Sequence, residues 1–239
     1  MKGVVLSIAP DVQVVDITHG VPPQDVESGA VALSHAAPFF PPGTIHVAVV
    51  DPGVGAARAD LLVEAGGSFF IGPDNGVLSM AARPPRRIFA IESADFRRQQ
   101  VSPTFYGRDV FAPAAGRLAA GARPEDAGPA RDSMVEIVAP PVHRRSGVIE
   151  GEVIHVDSFG NLITSITAAA LPEDATVEVE AGDGVFHPAF GRTFSDVEPG
   201  ALVAYVGSGG QLEIARRDGS AAVRIRAERG TVVRVRSGG

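Results

Sequence analysis

The chain has 239 residues, of which 45% are hydrophobic, 21% are charged and none is cysteine, so disulfide bonds, cysteine nucleophiles and cysteine-based zinc sites are excluded. Its acidic residues outnumber its basic residues by 28 to 21, and the net charge of −7 argues against general binding to nucleic acids. No apolar run approaches the ~18 residues that a membrane span needs, and the start does not resemble a secretion signal, so we expect a cytoplasmic protein with no membrane or nucleic-acid partner.

The N-terminal part of the chain alternates strand-like and helical patterns. Short β-branched or apolar runs bounded by turn residues predict strands, at residues 12–17, 45–50, 61–64, 69–72 and 88–91. The third and fourth of these runs flank Gly66-Gly67, which predicts a hairpin. Helices are predicted at residues 26–37, after a Pro-rich start, and at residues 110–120. This alternation predicts an α/β sheet domain, which we assign to residues 1–142.

The pattern changes near Pro140-Pro141. Short alternating runs at close spacing predict strands, at residues 147–156, 176–180, 202–206, 212–215, 223–227 and 231–235. They predict a small β-barrel or sandwich over residues 147–239. Arginines at a spacing of two are expected to share strand faces, at positions 224 and 226 and at positions 234 and 236. With a net charge of −7, a solvated outer face is favoured there over a nucleic-acid surface.

Polar residues follow several of the predicted strands. Asp51-Pro52-Gly53-Val54-Gly55 comes directly after the run 45–50, where α/β sheets bind ligands, and Asp51 with Arg58 can form an ion pair that polarises a nucleophile. An ordinary turn with a surface arginine is the alternative. His46 and His155 lie within apolar strands, so we expect core residues rather than ligands and predict no metal site. The patterns alone predict a small polar ligand between two domains.

Seven segments, taken in order, resemble a known family. They lie at residues 1–6, 16–25, 40–44, 51–55, 72–76, 104–109 and 157–161. Together they are similar to the S-adenosyl-L-methionine (SAM) hydroxide adenosyltransferases, the adenosine-forming SAM hydrolases, to which the SAM-dependent fluorinase and chlorinase are related. The resemblance extends through Gly207-Ser208 and residues 212–215 to about residue 222.

The resemblance implies an N-terminal Rossmann-like α/β domain, a small C-terminal β-barrel and a homotrimer. SAM is then expected between the N-terminal domain of one subunit and the C-terminal domain of its neighbour. The implied reaction is an in-line attack of water or hydroxide at the ribose C5′, which releases L-methionine and forms adenosine. SAM is the substrate and no cofactor is expected. Because a sulfonium is already a good leaving group, the protein has mainly to place the nucleophile and remove its water.

The resemblance also implies roles for single residues. Asp51 and Arg58 match two members of the water-activating triad of the hydrolases, and Tyr106 occupies the position of the third, a histidine in the hydrolases. Tyr106-Gly107 resembles the chlorinase instead, whereas Asp-Pro-Gly-Val-Gly is absent from halogenases. The arginine that halogenases carry beside the carboxylate-binding serine is Gly209 here.

In the C-terminal domain the implied roles concern binding of the substrate. Asp157 matches the acid that binds the methionine amino group, and Ser208 matches the site of the methionine carboxylate. Phe159 and Phe194 match aromatic walls of the adenine pocket, and Asn161 matches its hydrogen-bonding amide.

Family members carry a strand ending in Thr-Asp-Phe-Gly before the segment that matches Met1-Lys2-Gly3, and its aspartate holds the ribose hydroxyls. The given sequence begins at Met1, so this strand is not in it, and we expect residues 3–8 to be helical. The favoured hypothesis is a SAM hydrolase. The alternatives are a chlorinase-like SAM halogenase, suggested by Tyr106-Gly107, and a SAM- or adenosine-binding protein without catalysis, suggested by Tyr106 and the missing strand.

Overall fold

The computed structural model describes residues 1–173, 175–182 and 184–237. The chain divides into two compact units, the first from Met1 to Ile137 and the second from Val138 onward. Each unit contains its own sheet together with helices, so the fold is mixed α/β, as predicted. No helix within the described ranges is long and apolar enough to cross a bilayer.

The elements of the first unit are three α-helices and five strands. The helices are α1 (Lys2–Ile8), α2 (Val26–Ala36) and α3 (Ala112–Ala119), and the π-helical turn Gly107–Phe111 precedes α3. The strands are β1 (Ile45–Val47), β2 (Asp60–Ala65), β3 (Ser68–Pro73), β4 (Arg86–Ala90) and β5 (Ala130–Arg131). Single turns of 3₁₀ helix lie at Ala37–Phe39, Ala94–Phe96 and Pro124–Ala127.

The sheet of the first unit has the strand order β1-β3-β2-β4-β5. β1 runs parallel to β3, whereas β2, β3, β4 and β5 pair antiparallel. The predicted hairpin, β2–β3, is confirmed. Leu61, Leu62 and Val63 of β2 are all buried, and because successive side chains alternate between faces, the sheet is covered on both. Leu62 packs in the cluster that contains α3, and Leu61 and Val63 pack in the cluster that contains Leu33 of α2.

The first helix forms as expected, although its β-branched residues taken alone favour a strand. α1 packs on α3, where a methyl group added to Gly116 would lie 3.0 Å from Cβ of Ile8. By contrast, the strand predicted at residues 12–17 is wrong. That segment is irregular, and Val14, Val15 and Ile17 are exposed. β-Branched side chains favour a strand because they pack well on a half-buried sheet face. The side chains of residues 12–17 have no such sheet face to pack on.

The described residues of the second unit form one short α-helix and a nine-stranded sheet. Its strands are β6 (His143–Arg145), β7 (Val148–Val156), β8 (Leu162–Thr167), β9 (Ala175–Ala181), β10 (Gly184–Phe186), β11 (Ala189–Phe190), β12 (Leu202–Val206), β13 (Gln211–Arg216) and β14 (Val232–Ser237). The helix is α4 (Ala221–Ile225), and 3₁₀ turns lie at Ala168–Ala170 and Phe194–Asp196. The strand order is β10-β9-β14-β7-β8-β13-β12-β11, with β6 on β7. Strands from both halves of this order and α4 share one buried cluster, so the sheet curls around its core.

The strand predicted at residues 223–227 is wrong, because this segment contains the last three residues of the helix α4 and the left-handed residue that ends it. Ser220 caps α4 by accepting a hydrogen bond from the Val223 amide at 3.1 Å, and Arg226 ends it with φ +53°. A serine cap favours helix formation locally and outweighs the apolar alternation. Arg224 and Arg226 therefore do not share a strand face.

Arg234 and Arg236 do lie on one strand, β14, and acidic neighbours face them. The Arg234 side chain donates to Glu150 at 2.8 Å and also bonds Glu180. Arg234 and Glu150 are directly opposite in register, as are Arg234 and Glu178. Such cross-strand pairs stabilise a sheet surface, and they leave little unpaired positive charge on this strand.

His46 on β1 lies in the core, as expected from the sequence. Its side chain is 4% exposed, stacks on Phe70 at 5.0 Å between ring centroids and meets the edge of Phe40 at 5.4 Å. Its Nε2 atom has no hydrogen-bond partner among the described residues. Burial lowers the pKa of His46 below its ordinary value of 6.5.

The free energy of unfolding is therefore expected to fall as the pH drops below 6.5. The unfolded chain takes up a proton there, whereas folded His46 resists protonation until its lower pKa is reached, so the unfolded state binds more protons. Each unit by which the pKa is lowered corresponds to about 1.4 kcal/mol. Denaturant unfolding at pH 7 and pH 5 measures the loss. His46→Leu should reduce the loss, and the matched change at exposed His143 should not. Equal losses in both variants would contradict the assignment.

Candidate functional site

Asp51 and Arg58 form a buried, two-pronged ion pair in the first unit. The Arg58 Nε–H donates to Asp51 Oδ1 at 2.9 Å, and Nη2 donates to Oδ2. The two side chains are 6% and 11% exposed. Paired hydrogen bonds of this kind fix both the position and the plane of a guanidinium against a carboxylate. The predicted ion pair is present, so a turn with a surface arginine is not what forms here.

The loop after Asp51 folds back on itself and brings Arg58 to the carboxylate. The Val54 amide donates to Asp51 O, the Ala56 amide to Gly53 O, and the Arg58 amide to Ala56 O. Gly55 has φ +82°, and a Cβ added there would lie 2.6 Å from the Pro103 carbonyl oxygen. Only glycine fits at such a close approach, so the loop 51–58 can lie against the loop that leads to Tyr106.

Two aromatic rings enclose the Arg58 guanidinium. Its Cζ atom lies 5.4 Å from the ring centroid of Tyr106 and 5.7 Å from that of Phe111. Arginine over an aromatic face is attracted by the ring quadrupole, most strongly where water is excluded. Although burial lowers it, hydrogen bonds to Asp51 and Asp60 raise the pKa of Arg58 above its ordinary value. Tyr106, predicted as the third member of the triad, thus lies at the site with its ring against the arginine.

The loop that carries Tyr106 is held by Asp109, whose side chain is fully buried. Asp109 accepts hydrogen bonds from Arg108 Nε at 2.7 Å and Nη2 at 2.8 Å, and from the Ser102 amide at 2.9 Å. The hydrogen bonds from Arg108 lower the pKa of Asp109 to about 2, against the opposing effect of burial. Asp109 therefore stays ionised and fixes the loop 102–109.

A cavity of about 440 Å³ lies beside Asp51 in the first unit. It is lined by residues 47–52 and, among others, by the polar residues Thr18, His19 and Gln24. Cavities of this size with a few polar groups are typical of small-ligand sites. Three or more acidic or histidine side chains arranged to hold a metal ion are not found in the part of the chain that the structure describes.

In the second unit Asp157 and Asn161 are joined in one turn between β7 and β8. Asp157 Oδ1 accepts hydrogen bonds from the amides of Phe159 and Asn161, each at 2.9 Å, and Oδ2 accepts from Asn161 Nδ2 at 2.9 Å. Asn161 is buried, whereas the Phe159 side chain is 76% exposed. The predicted acid and amide thus form one hydrogen-bonded unit, with the predicted aromatic wall projecting from the same turn.

Phe194 lies on Tyr205, at 5.3 Å between ring centroids. The Tyr205 hydroxyl donates to Glu213 Oε2 at 2.9 Å, and a Cβ on Gly207 would lie 1.9 Å from Glu213 Oε1. Burial and the Glu213 carboxylate raise the pKa of Tyr205, with a smaller contribution from the charge of Asp157. Phe194, Tyr205 and Glu213 are therefore neighbours in the second unit.

Ser208, the last predicted site residue, lies in the turn between β12 and β13 with its side chain exposed. Among the described residues it makes no hydrogen bond to the Asp157 turn. Five further residues contact the predicted site residues, directly or through one neighbour, and were not predicted from the sequence. They are Asp60, Arg97 and Phe111 in the first unit and Tyr205 and Glu213 in the second. The spacing Arg58-Ala59-Asp60 was an available signal, because residues i and i+2 of an extended segment lie on one side.

Comparison with known proteins places the chain in a family. Residues 1–128 match the sequence profile of the SAM hydroxide adenosyltransferase N-terminal domain, and residues 151–234 match that of the C-terminal domain. The chain belongs to the SAM hydroxide adenosyltransferase family. The predicted resemblance is thereby confirmed, and it covers both units.

The relatives of this chain include hydrolases and halogenases. The chain is 40% identical over 245 residues to the (R)-S-adenosyl-L-methionine hydrolase of Salinispora arenicola, covering 99% of this chain and 91% of the relative. It is 30% identical over 270 residues to a fluorinase of Actinopolyspora mzabensis, covering 98% and 90%. An uncharacterised conserved protein from Thermotoga maritima has a similar crystal structure, with a TM-score of 0.88, 32% identity and coverage of 98% and 92%. Similarity to the named hydrolase is thus higher than to the fluorinase.

Proposed function

We propose that this chain hydrolyses SAM to adenosine and L-methionine. The observation that carries the proposal is the buried, two-pronged Asp51–Arg58 ion pair beside a cavity of about 440 Å³, in a chain that is 40% identical to a named SAM hydrolase over 99% of its length. Water or hydroxide attacks C5′ in line with the sulfonium. An O–C5′ bond forms, the C5′–S bond breaks, and its electron pair remains on the sulfur of methionine.

Asp51 orients the attacking water in this proposal. Each of its oxygens already accepts one hydrogen bond from Arg58, and an ionised carboxylate oxygen can accept another. A water held in this way donates one O–H to the carboxylate, so that a lone pair of its oxygen points away from Asp51. It also loses part of its hydration shell. The proton released on attack passes to Asp51 or to solvent, and the reaction needs no metal or organic cofactor. Placement and desolvation supply most of the rate.

Tyr106 acts by shielding rather than by accepting a proton. Its ring lies over the guanidinium of Arg58, and a neutral phenol hydroxyl is a poor acceptor of a proton. Excluding water from the ion pair strengthens the interactions within it. Tyr106 therefore occupies the position of the histidine found in hydrolases without taking over a proton-accepting role. It contributes by keeping water away from Arg58.

The second unit supplies the groups that bind SAM. Asp157 takes the methionine amino group, Ser208 takes the methionine carboxylate, Asn161 bonds the adenine, and Phe159 and Phe194 contact its ring. Support comes from the exposed aromatic side chains beside a charged, preorganised turn. The Rossmann-like and β-barrel descriptions of the two units, the cytoplasmic location and a homotrimer with SAM shared between subunits belong to the same proposal. Light scattering of the purified protein tests the trimer.

The direct test incubates the protein with SAM in halide-free buffer and separates the products by chromatography. We expect adenosine and L-methionine in equal amounts. The halogenase alternative, which rests on Tyr106-Gly107 and on the 30% identity to a fluorinase, predicts 5′-chloro-5′-deoxyadenosine when chloride is added. Binding of SAM by calorimetry without any product would support a non-catalytic protein and contradict the proposal.

Asp157→Asn is expected to raise the KM for SAM about tenfold or more while kcat changes less. The variant loses the charge that attracts an ammonium group, and its amide would face the Asn161 amide that now donates to Asp157, so a donor would meet a donor. Initial rates over a range of SAM concentrations separate the two constants. Asp218→Asn, at an exposed turn position in the same unit, is the matched control. An unchanged KM in Asp157→Asn would contradict the assignment.

A further inference from the structure

A second carboxylate, that of Asp60, holds the side of Arg58 that faces away from Asp51. Arg58 Nη1 donates to Asp60 Oδ1 and also, at 3.0 Å, to the Ala59 carbonyl oxygen. Nε and Nη2 of the same guanidinium bond Asp51. The Asp60 side chain is almost completely buried. Arg58 is therefore clamped in its plane between two acids, while Tyr106 and Phe111 lie against it.

Asp60 is itself fixed, by Arg97 and by the backbone. Arg97 Nη2 donates to Asp60 Oδ2 at 3.0 Å, and Arg97 Nε–H donates to the Ile91 carbonyl oxygen at 2.8 Å. The Ile91 amide donates in turn to the Asp60 carbonyl oxygen at 2.7 Å. Burial raises the pKa of Asp60, and the hydrogen bond and charge of Arg58 oppose that rise. The result is a chain of alternating charges, Asp51–Arg58–Asp60–Arg97.

This arrangement has two consequences for Asp51. First, a guanidinium held on both sides cannot rotate away from Asp51, so the carboxylate oxygens stay in place for a water molecule. Second, the negative charge of Asp60 offsets part of the positive charge of Arg58. Without that offset, the charge of Arg58 would stabilise the carboxylate of Asp51 more strongly, and Asp51 would be a weaker acceptor of a proton.

We propose that Asp60 is a positioning residue of the hydrolysis, which fixes Arg58 on Asp51 and offsets its charge, and that Arg97 holds Asp60 for this task. The proposal rests on the proposed function for its effect on rate. Its structural part, the fixation of Arg58, holds independently of what the protein does with SAM.

The kinetic test compares Asp60→Asn and Arg97→Gln with the unchanged protein. Asp60→Asn should lower kcat at least ~10-fold, as a positioning residue of a base that itself contributes about 10²- to 10⁴-fold, and leave the KM for SAM within about threefold. Removing a negative charge near Asp51 favours its ionised form, so the acid limb of the pH–rate profile should move to lower pH. Arg97→Gln removes a positive charge, so the same limb should move to higher pH.

A matched control is Glu64→Gln, on the same strand but in an exposed ion pair with Arg87. It should change neither kcat nor the pH profile. A merely structural role for Asp60 would reduce the fraction of folded, active protein without moving the profile, because the remaining molecules would be unaltered at Asp51. Unmoved acid limbs in both Asp60→Asn and Arg97→Gln would overturn the proposal. Arg97→Gln, at a side chain 28% exposed, decides the matter if Asp60→Asn does not fold.

A second measurement separates this proposal from the proposed function. Nitrogen-15 NMR of the arginine side chains should show a slowly exchanging Arg58 Nε–H in the unchanged protein and faster exchange in Asp60→Asn. Absence of adenosine formation with an ordered, Asp60-dependent Arg58 would contradict SAM hydrolysis but support the positioning. An Arg58 signal equally protected in both proteins would overturn the positioning, whatever the activity with SAM.

Discussion

Asp51→Asn is expected to lower kcat for SAM hydrolysis by about 10²- to 10⁴-fold, the range in which general base groups contribute. The amide oxygen of asparagine is a weaker acceptor than a carboxylate oxygen, and the amide nitrogen would face the Arg58 donors that now bond Asp51. Adenosine formation at saturating SAM measures the change.

Folding must be separated from chemistry in this variant. Removing one partner of a buried ion pair can cost about 3–5 kcal/mol, and this variant loses the charge of Asp51 while Arg58 keeps its bond to Asp60. SAM binding by calorimetry therefore gives the fraction of competent protein by which the rate is corrected. Asp95→Asn, at a position in the same unit but outside the site, is the control and should keep its rate. A corrected rate for Asp51→Asn within threefold of the unchanged protein would contradict the role of Asp51.

Phe111→Ala is expected to lower the free energy of unfolding by about 3–5 kcal/mol, the usual cost of removing a buried phenylalanine ring. Phe111 is fully buried in the cluster that contains Leu62, Ile71 and Phe89. Its ring also lies against the Arg58 guanidinium, so kcat should fall as well. Denaturant unfolding followed by circular dichroism measures the first effect, and adenosine formation measures the second.

Phe39→Ala is the matched control for this change, because the Phe39 side chain is 82% exposed. Substitutions at such positions usually change stability by no more than about 0.5 kcal/mol. A loss in Phe111→Ala no larger than that in Phe39→Ala would mean that this part of the core is not packed as described. A large loss of stability with an unchanged kcat would instead contradict the contribution of the ring to the ion pair.

The sequence predicts elements well where one local signal dominates. Asp25 caps α2 by accepting a hydrogen bond from the Ser28 amide at 3.0 Å, and the glycine pair between β2 and β3 makes the hairpin. Prediction fails where a strand-like pattern lacks a sheet to pack on or competes with a helix cap. Residues 12–17 have strand-forming side chains but remain exposed, and residues 223–227 alternate like a strand although Ser220 caps a helix there. The first outcome depends on packing partners distant in sequence, whereas the second follows from a cap three residues away.

The candidate site shows the same division. Asp51 and Arg58 are seven positions apart in one loop, so turn residues and opposite charges suffice to predict their pairing. Arg97 reaches Asp60 across 37 positions, and no periodicity in the sequence encodes that contact. Likewise, the hydrogen bond between Tyr205 and Glu213 depends on the register of β12 and β13. Family resemblance assigns roles to Asp157 and Ser208, but it does not state which neighbours hold them.

In the proposed reaction, water attacks C5′ of SAM at the Asp51–Arg58 pair. One reaction in water enriched in oxygen-18, analysed by mass spectrometry of the nucleoside, tests it most directly. We expect adenosine carrying one oxygen-18 atom at its 5′-hydroxyl, formed together with unlabelled L-methionine, and loss of that product in Asp51→Asn. Adenosine without the label, or full formation of labelled adenosine by Asp51→Asn, would contradict it.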